Sequence, residues 1–599
     1  MTRINLIAPS LPSGRELLAA GRDLAQSCRL GASRYMRETG YPSEAAGKRA
    51  AAMERRVTQH AHIGFRNVER TLGAIAEVHE KCAAAGVTVD RFGITLDWSM
   101  GYPEAMRKSA PRGTGIVLTG PEDFVRITEA SPAAAHFGDF MIGLPGALEN
   151  TQAALRAGAT SIGNLGQYFT FRLPHWDDEV ATTVATVKAL GLIAAQDAEI
   201  LVHSNLDDGF AGLFLDMCCS LGMVIVEKYI IEELAGARLG HCYGHHFSDP
   251  LSRMAFHSAL HQVTDTPGTM IFGNTVSYQS SPAGNYASLA NYLLADIMAL
   301  RRWPTGHAVN PVPVTENSRI PDIDEIIDAQ TFASRLREHA PFHETLVEWP
   351  KVEAMADELV RNGRRFAGNV LKGLGDLGVD TTDAAQLLLA IRRMGPKRLE
   401  DLFGPGGVAR DGGQRKPLVL AEWARELDET AKRWIVATKP GLAPVLPKGL
   451  KACVATSDVH EHGKYLVEKA LSGLDIALVD GGVSVDADRL VAKAVESGAD
   501  FIAISTYNGV ALRFCREVMD QLASRNLKIP IVVGGRLNQV PDDSNSGLPV
   551  DVTADLQKLG CHPCTTLDDI VPVLSALGSK VATAATESGS NRRGTHHPI

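Results

Sequence analysis

The residues best suited to ligand chemistry cluster near the C-terminal end. The segment SDVHEHGKY sets Asp458, His460 and Gly463 in a D-x-H-x-x-G pattern directly after the apolar run KACVATS. A second apolar run, DFIAIST, ends on Ser505 and Thr506, and a third, IPIVVGG, ends on Gly534 and Gly535. His460 stands 45 residues before Ser505, and Ser505 stands 29 before Gly534. Imidazole, carboxylate and hydroxyls thus fall at the same place in successive units, beside glycines that let a ligand approach the backbone.

The elements that must position them read clearly. From 451 to 578, short apolar runs alternate with helical stretches such as HGKYLVEKALSGL and DADRLVAKAVESG. The order βαβαβαβ predicts a doubly wound, flavodoxin-like (Rossmann-type) α/β domain, whose ligands sit beyond the carboxyl ends of the strands. All three motifs lie at such ends. Ahead of the domain, ATKPGLAPVLPKGL (437–450) reads as a linker. The Ser-, Gly-, Arg- and His-containing tail 579–599 reads as disordered.

This set of loops resembles the B12-binding domain of cobalamin-dependent mutases and methyltransferases. That family shares D-x-H-x-x-G, a Ser/Thr strand end and a Gly-Gly strand end at similar spacing. The resemblance implies that His460 ligates cobalt from below, displacing the cofactor's own nucleotide base. Asp458 would hold the other ring nitrogen, as metal-bound histidines require. Gly463 would clear space for the cofactor, Ser505 and Thr506 would meet the displaced base, and Gly534 and Gly535 would make room for the nucleotide tail. Thr565 stands in Pro563-Cys564-Thr565, where the family often has Pro-Gly-Thr. Any one motif alone is better read as a solvated loop or a plain turn. The combination argues against that.

From 59 to 345 the chain repeats apolar runs followed by helical patterns. The runs are FGITLD, GIVLTG, FMIGLPG, EILVHS, MVIVEKY and TMIFGN. Buried parallel strands with crossover helices are expected, at a length suited to a (β/α)8 TIM-like barrel. An Ala- and Arg-rich helical arm (1–58) precedes it and a helical region (346–436) follows. Tyr168, Glu227, His245, Tyr243 and Asn274 read as polar strand-end residues lining the barrel mouth. His241, His245 and His246 invite a metal reading, but no Cys or Glu pattern flanks them. His60 and His62 suit packing equally well. Four segments, ITLDWSMGYPEAMR, SIGNLGQYFTFRLPHW, GHCYGHHFSDPLSRMAFHSAL and PVPVTENSRIPDIDEI, resemble the catalytic subunit of glutamate mutase. A chain fused to its own B12 domain leans toward the 2-methyleneglutarate mutase type. The resemblance leads one to expect arginines after FGITLD and FMIG, where this chain has Trp98-Ser99-Met100-Gly101 and Leu144-Pro145-Gly146. Arg66 and Arg172 remain as candidate carboxylate partners.

The chain has 599 residues with a net charge of −9. A mildly acidic chain has no electrostatic footprint for nucleic acid or an anionic membrane. Nine cysteines without a framework suit a reducing cytoplasm. The start of the chain lacks a signal peptide's apolar core. The reading is a cytoplasmic, adenosylcobalamin-dependent carbon-skeleton mutase, a radical isomerase acting on a small carboxylic acid, and a homo-oligomer. A corrinoid methyltransferase, an aminomutase using pyridoxal phosphate on Lys464, and a B12-binding sensor remain as alternatives.

Overall fold

The computed structural model describes residues 5–278, 281–408, 415–444, 446–458, 461–507, 509–541 and 549–577. They form two compact units, one reaching to Trp423 and the other running from Ala424.

In the first unit eight parallel strands close into a barrel. They are β1 (Thr58–Ile63), β2 (Arg91–Ile94), β3 (Ala134–Phe137), β4 (Ser161–Gly163), β5 (Leu201–Asn205), β6 (Arg238–Tyr243), β7 (Met270–Ile271) and β8 (Ala308–Val309). Strand alternation divides their side chains. In β1, Ala61 and Ile63 face the outer helices while His60 and His62 face inward, where they meet Arg91 and Thr95 of or beyond β2.

Three expected strands are not strands. MVIVEKY belongs to a helix, Met217–Lys228, that is buried almost all round. A continuous apolar run fits a buried helix as well as a buried strand. GIVLTG contributes one isolated bridge, Leu96 to Ile116, and then leads into the helix Pro121–Glu129, which Pro121 opens. FMIGLPG is a set of turns before the helix Ala147–Arg156.

The N-terminal arm packs on the barrel. Its helices Gly14–Asp23, Arg34–Thr39 and Glu44–Met53 each start at a serine whose hydroxyl accepts from the first turn. Lys48 Nζ donates to Thr269 O (2.7 Å) and Gly306 O (2.8 Å), just before β7 and β8. The arm thereby plugs the amino-terminal end of the barrel. The later helix Trp349–Asp376 lies on Met217–Lys228, where a Cβ on Gly222 would overlap Phe366.

In the second unit a five-stranded parallel sheet has the order β10-β9-β11-β12-β15. Its strands are β9 (Lys451–Thr456), β10 (Ala477–Gly482), β11 (Phe501–Thr506), β12 (Ile531–Gly535) and β15 (His562–Cys564), with a small ribbon of β13 (Asn538–Gln539) and β14 (Val550–Asp551). This 2-1-3-4-5 order is the flavodoxin-like one. Apolar clusters cover both faces. The expected linker is partly helix, because Glu422–Leu442 runs through Pro440. Trp434 and Leu442 are buried in the second unit's core, and Trp434 Nε1 donates to Asp568 (2.9 Å). Tertiary burial here outweighs the local signal of proline and glycine. Among the described residues no helix is long and apolar enough to cross a membrane.

Candidate functional site

Parallel pairing brings the C-terminal motifs into one row. Thr456, Ser505, Gly534 and Cys564 lie in register across β9, β11, β12 and β15. Gly463, in the first turn of the helix His462–Gly473, sits so close that a Cβ would overlap Ser505 Oγ. Gly535 has φ +99°, and a Cβ there would overlap Thr506 O. Thr506 Oγ1 is buried and has no hydrogen-bond partner among the described residues. Gly463 and Gly535 thus let the motif helix and the end of β12 close tightly on the end of β11, beside an orphaned buried hydroxyl that can meet a polar ligand. Asp458 is buried, and its Oδ2 accepts from Tyr507 N (2.7 Å) and Ser457 Oγ (3.3 Å). The carboxylate therefore ties the motif loop to the end of β11. Val459 and His460 lie outside the described residues. Thr565 Oγ1 donates to Asp569 (3.0 Å) at an exposed turn.

Lys464 is ill suited to a Schiff base. Its ammonium pairs with Glu468 (2.8 Å) and Asp480 (3.1 Å). Burial opposes the charge, but those carboxylates outweigh it and hold the group above its ordinary range. Cys561 and Cys564 lie in the cores on opposite faces of the sheet, so their C-x-x-C spacing makes no joint site.

At the carboxyl end of the barrel, Asn164 ties β4 to its neighbours. Its Oδ1 accepts from Gly166 N and Asn205 N (2.9 Å each), and its Nδ2 donates to Asp139 (3.2 Å) and Asp208 (2.8 Å). Asn205 Nδ2 also donates to Asp208 (2.9 Å). Burial pushes the Asp139 carboxyl up. Asp207 accepts from His245 N (2.8 Å), His246 N (3.2 Å) and His246 Nδ1 (2.9 Å). Burial opposes its charge, yet His246 holds it below the ordinary carboxylate range. His245 also meets Thr275 Oγ1 (3.3 Å). Buried Asn274, which follows β7, leaves its Oδ1 without a partner among the described residues.

Other candidates are placed elsewhere. Tyr168 is in the helix Gly166–Thr170, fully buried, with its hydroxyl on Thr183 (2.8 Å) and its ring against Arg392. It packs the outer layer instead of ending a strand. Arg172 is 38% exposed and ion-paired with Asp177, so its guanidinium serves the surface. Arg66 donates to Gly113 O (3.4 Å) in the loop after β2. Tyr243 points out of the barrel to His257 (2.8 Å). His241 is buried in β6, with neither ring nitrogen hydrogen-bonded among the described residues.

Glu227 sits in the helix Met217–Lys228, outside the barrel, and accepts from Ser204 Oγ (2.6 Å). Burial pushes its carboxyl from 4.5 to about 7. Between those values the folded state holds more protons than the unfolded one, so stability falls as pH rises. Glu227→Gln should therefore gain on the wild type by up to about 3 kcal/mol between pH 5 and pH 8. Urea unfolding at both pH values checks this. A difference that does not change with pH would refute it.

The sequence reading missed the barrel's interior. Arg91 donates to Glu44 (2.7 Å) from the arm, to His60 Nδ1 (3.0 Å) and to Ser161 Oγ (3.3 Å), and Ser161 meets His136 Nδ1 (3.2 Å). Lys48 lies 3.5 Å from Glu44. His203 Nδ1 bonds Thr269 Oγ1 (2.8 Å), and its ring lies 4.5 Å from that of His136. A signal was present in TQHAHI, AAHF and LVHSN, where histidine holds inward positions of short strands.

Comparison with known proteins bears on the second unit. Residues 449–552 match the family model of the B12 binding domain. Over 92 residues, 15% of this chain, the sequence is 29% identical to glutamate mutase sigma subunit 1 of Haloarcula marismortui. The chain covers 61% of that subunit's length. A solved cobalamin-binding protein from Desulfitobacterium hafniense is 23% identical, over 26% of this chain and 70% of its own, with a TM-score of 0.19. The second unit thus carries a B12-binding domain, and the first a closed parallel barrel.

Proposed function

We propose that this chain is an adenosylcobalamin-dependent carbon-skeleton mutase acting on a small carboxylic acid. The observation that carries the reading is one chain holding both a closed parallel barrel and a B12-binding domain whose motif residues gather in one row of strand ends. The residues that would hold the cofactor are Asp458, His460, Gly463, Ser505, Thr506, Gly534 and Gly535. The buried Thr506 hydroxyl, without a partner among the described residues, fits a polar nucleotide tail, and Gly463 and Gly535 let the motif helix and β12 close beside it. When bound, adenosylcobalamin supplies an organic radical that removes a hydrogen from substrate and later returns it. The barrel's part is to seat and orient the acid away from water at the carboxyl ends of its strands. There Asn164 fixes Asp139 and Asp208, while the Asp207–His246 pair anchors the loop that carries His245. The positions directly after Asp97, Trp98 to Gly101, hold no arginine, and Arg107 farther along the loop is tied to Tyr102 O and Glu149; this supports 2-methyleneglutarate ahead of glutamate as substrate.

The test is the purified chain with adenosylcobalamin, then with 2-methyleneglutarate, glutamate or acyl-CoA thioesters. A paramagnetic signal that appears only with a free acid, and rearranged product by NMR, is expected. Cobalamin binding with no signal and no product from any of these would overturn the mutase reading. Turnover of thioesters alone would overturn the substrate class.

A further inference from the structure

We infer that Arg253 is the positioning residue of the barrel mouth: its guanidinium clamps the loop after β6 and the end of β7, and so fixes where His245 and Asn274 stand. The positioning role rests on the reading above that the acid sits at the carboxyl ends of the strands; the clamp itself does not. Arg253 lies in the helix Pro250–Val263 and is 1% exposed. A guanidinium carries five N–H donors in a fixed plane. Nε and one hydrogen of Nη2 go to the two oxygens of Asp296 (2.8 and 2.7 Å). The rest go to backbone carbonyls: Gly244 O and Phe247 O (3.0 Å) from Nη1, and Phe272 O (2.9 Å) from Nη2. Every donor of the group is thereby used.

Those carbonyls belong to the loops of the mouth. Gly244 and Phe247 flank His245 and His246, whose backbone N–H groups donate to Asp207 (2.8 and 3.2 Å) in the loop after β5. The two histidines are thus strung between a carboxylate that takes their N–H groups and a guanidinium that takes the carbonyls on either side. Gly244 makes the approach possible. It has φ +141°, and a Cβ there would stand 2.3 Å from Phe272 O and 3.0 Å from Arg253 Nη2. Phe272 closely precedes Asn274, the buried amide whose Oδ1 has no partner among the described residues. The His245 ring packs on that of Phe272, 5.2 Å between centroids. The guanidinium also stands 5.4 Å from the centroid of Tyr292. The Tyr292 hydroxyl accepts from Val312 N (3.0 Å) and donates to Asn310 O (3.2 Å), both beyond β8.

A buried ion pair is a weak source of stability, because an apolar pair of similar volume often does as well. What Arg253 and Asp296 add is geometry. Asp296, in the helix Pro282–Arg302, holds one edge of the guanidinium, and the remaining N–H groups are aimed at carbonyls of two different loops. Lysine presents fewer donors on a rotatable ammonium and cannot repeat this fork. Loops at the carboxyl ends of barrel strands carry the ligand-binding residues, and a displacement of about 1 Å there can cost about a hundredfold in rate. A guanidinium that locks two such loops in one arrangement lets the acid bind without first ordering them.

The experiment uses the full chain loaded with adenosylcobalamin. Arg253→Met combined with Asp296→Leu removes the pair without leaving a charge behind, and Arg253→Lys keeps the charge but not the fork. Gly222→Ala, which crowds Phe366 in the outer layer, is the control for lost stability alone. Hydrogen exchange read by mass spectrometry should quicken by about tenfold or more in 244–249 and 272–275 of both clamp variants, and not in the control. Adding 2-methyleneglutarate or succinate should slow exchange in both loops of the wild type. Acid affinity and kcat/KM should fall by about a hundredfold in both clamp variants and by less than about threefold in the control. Cobalamin affinity should not change. Unmoved exchange in the clamp variants would overturn the clamp. A loss no greater than the control's, lysine that performs as arginine does, or wild-type loops that neither acid protects would each overturn the positioning role. If the double variant does not fold, Arg253→Lys decides. Protection by acid without turnover would keep the positioning and remove the mutase reading. Turnover that survives in the double variant would do the reverse.

Discussion

Glu44→Gln is expected to destabilise the barrel unit by about 3–5 kcal/mol near pH 7, the usual cost of removing one partner from a buried ion pair. Glu44 is the carboxylate that faces both Arg91 (2.7 Å) and Lys48 (3.5 Å), and all three side chains are nearly inaccessible. Glutamine keeps the shape and an accepting oxygen, so the loss is one of charge. Two cations are then left together without a counter-ion. The penalty should shrink as pH rises. Burial already lowers the Lys48 ammonium from 10.5 to about 8, with Glu44 working against that fall. Between pH 8 and 10.5 the unfolded wild type binds the proton that the folded one has lost, so its stability rises with pH. Without Glu44 the folded lysine releases its proton below pH 8, and the variant begins to recover earlier. Urea unfolding of both proteins at pH 6.5, 7.5 and 8.5 measures this. A loss under 1 kcal/mol, or one equal at all three values, would show that the cluster is not an ionic clamp.

The same cluster shows why the site was only half legible. The B12-binding strands carry their own pattern, because each motif follows an apolar run by one or two residues and parallel pairing aligns the run ends. Thr456, Ser505, Gly534 and Cys564 share a row for that reason. The barrel floor is assembled from Glu44, Lys48, His60, Arg91, His136 and Ser161, which belong to five separate elements. Nothing local relates them, and only barrel closure brings them together. The barrel strands are also short and often polar, as in TQHAHI and SIG, while the most apolar run, MVIVEKY, is a buried helix. Apolar content alone therefore marked Glu227 as a strand end, when it lies between the helix and the outer face of β5.

The strand ends of the second unit give the other large effect. Gly535→Val should weaken cobalamin binding by more than about hundredfold, because a β-branched side chain at positive φ adds strain on the order of 3 kcal/mol and must also find space. Gly535 has φ +99°, and its missing Cβ would overlap Thr506 O, which already accepts from Arg536 N (2.9 Å). Relief requires the end of β12 to part from Thr506, and those two strand ends are in register. That movement disturbs the orphaned Thr506 hydroxyl at the strand end where the nucleotide tail would lie. General strain can be separated from damage to these strand ends. Gly498 also has positive φ, +64°, but lies at a helix end, where an added Cβ would meet nothing within 4 Å. Gly498→Ala should cost about 1 kcal/mol of stability and leave cobalamin binding intact. Spectral titration with hydroxocobalamin, with circular dichroism to verify folding, compares the two. A folded Gly535→Val chain that binds within tenfold of the wild type would remove these strand ends from the cofactor site, whatever the barrel does.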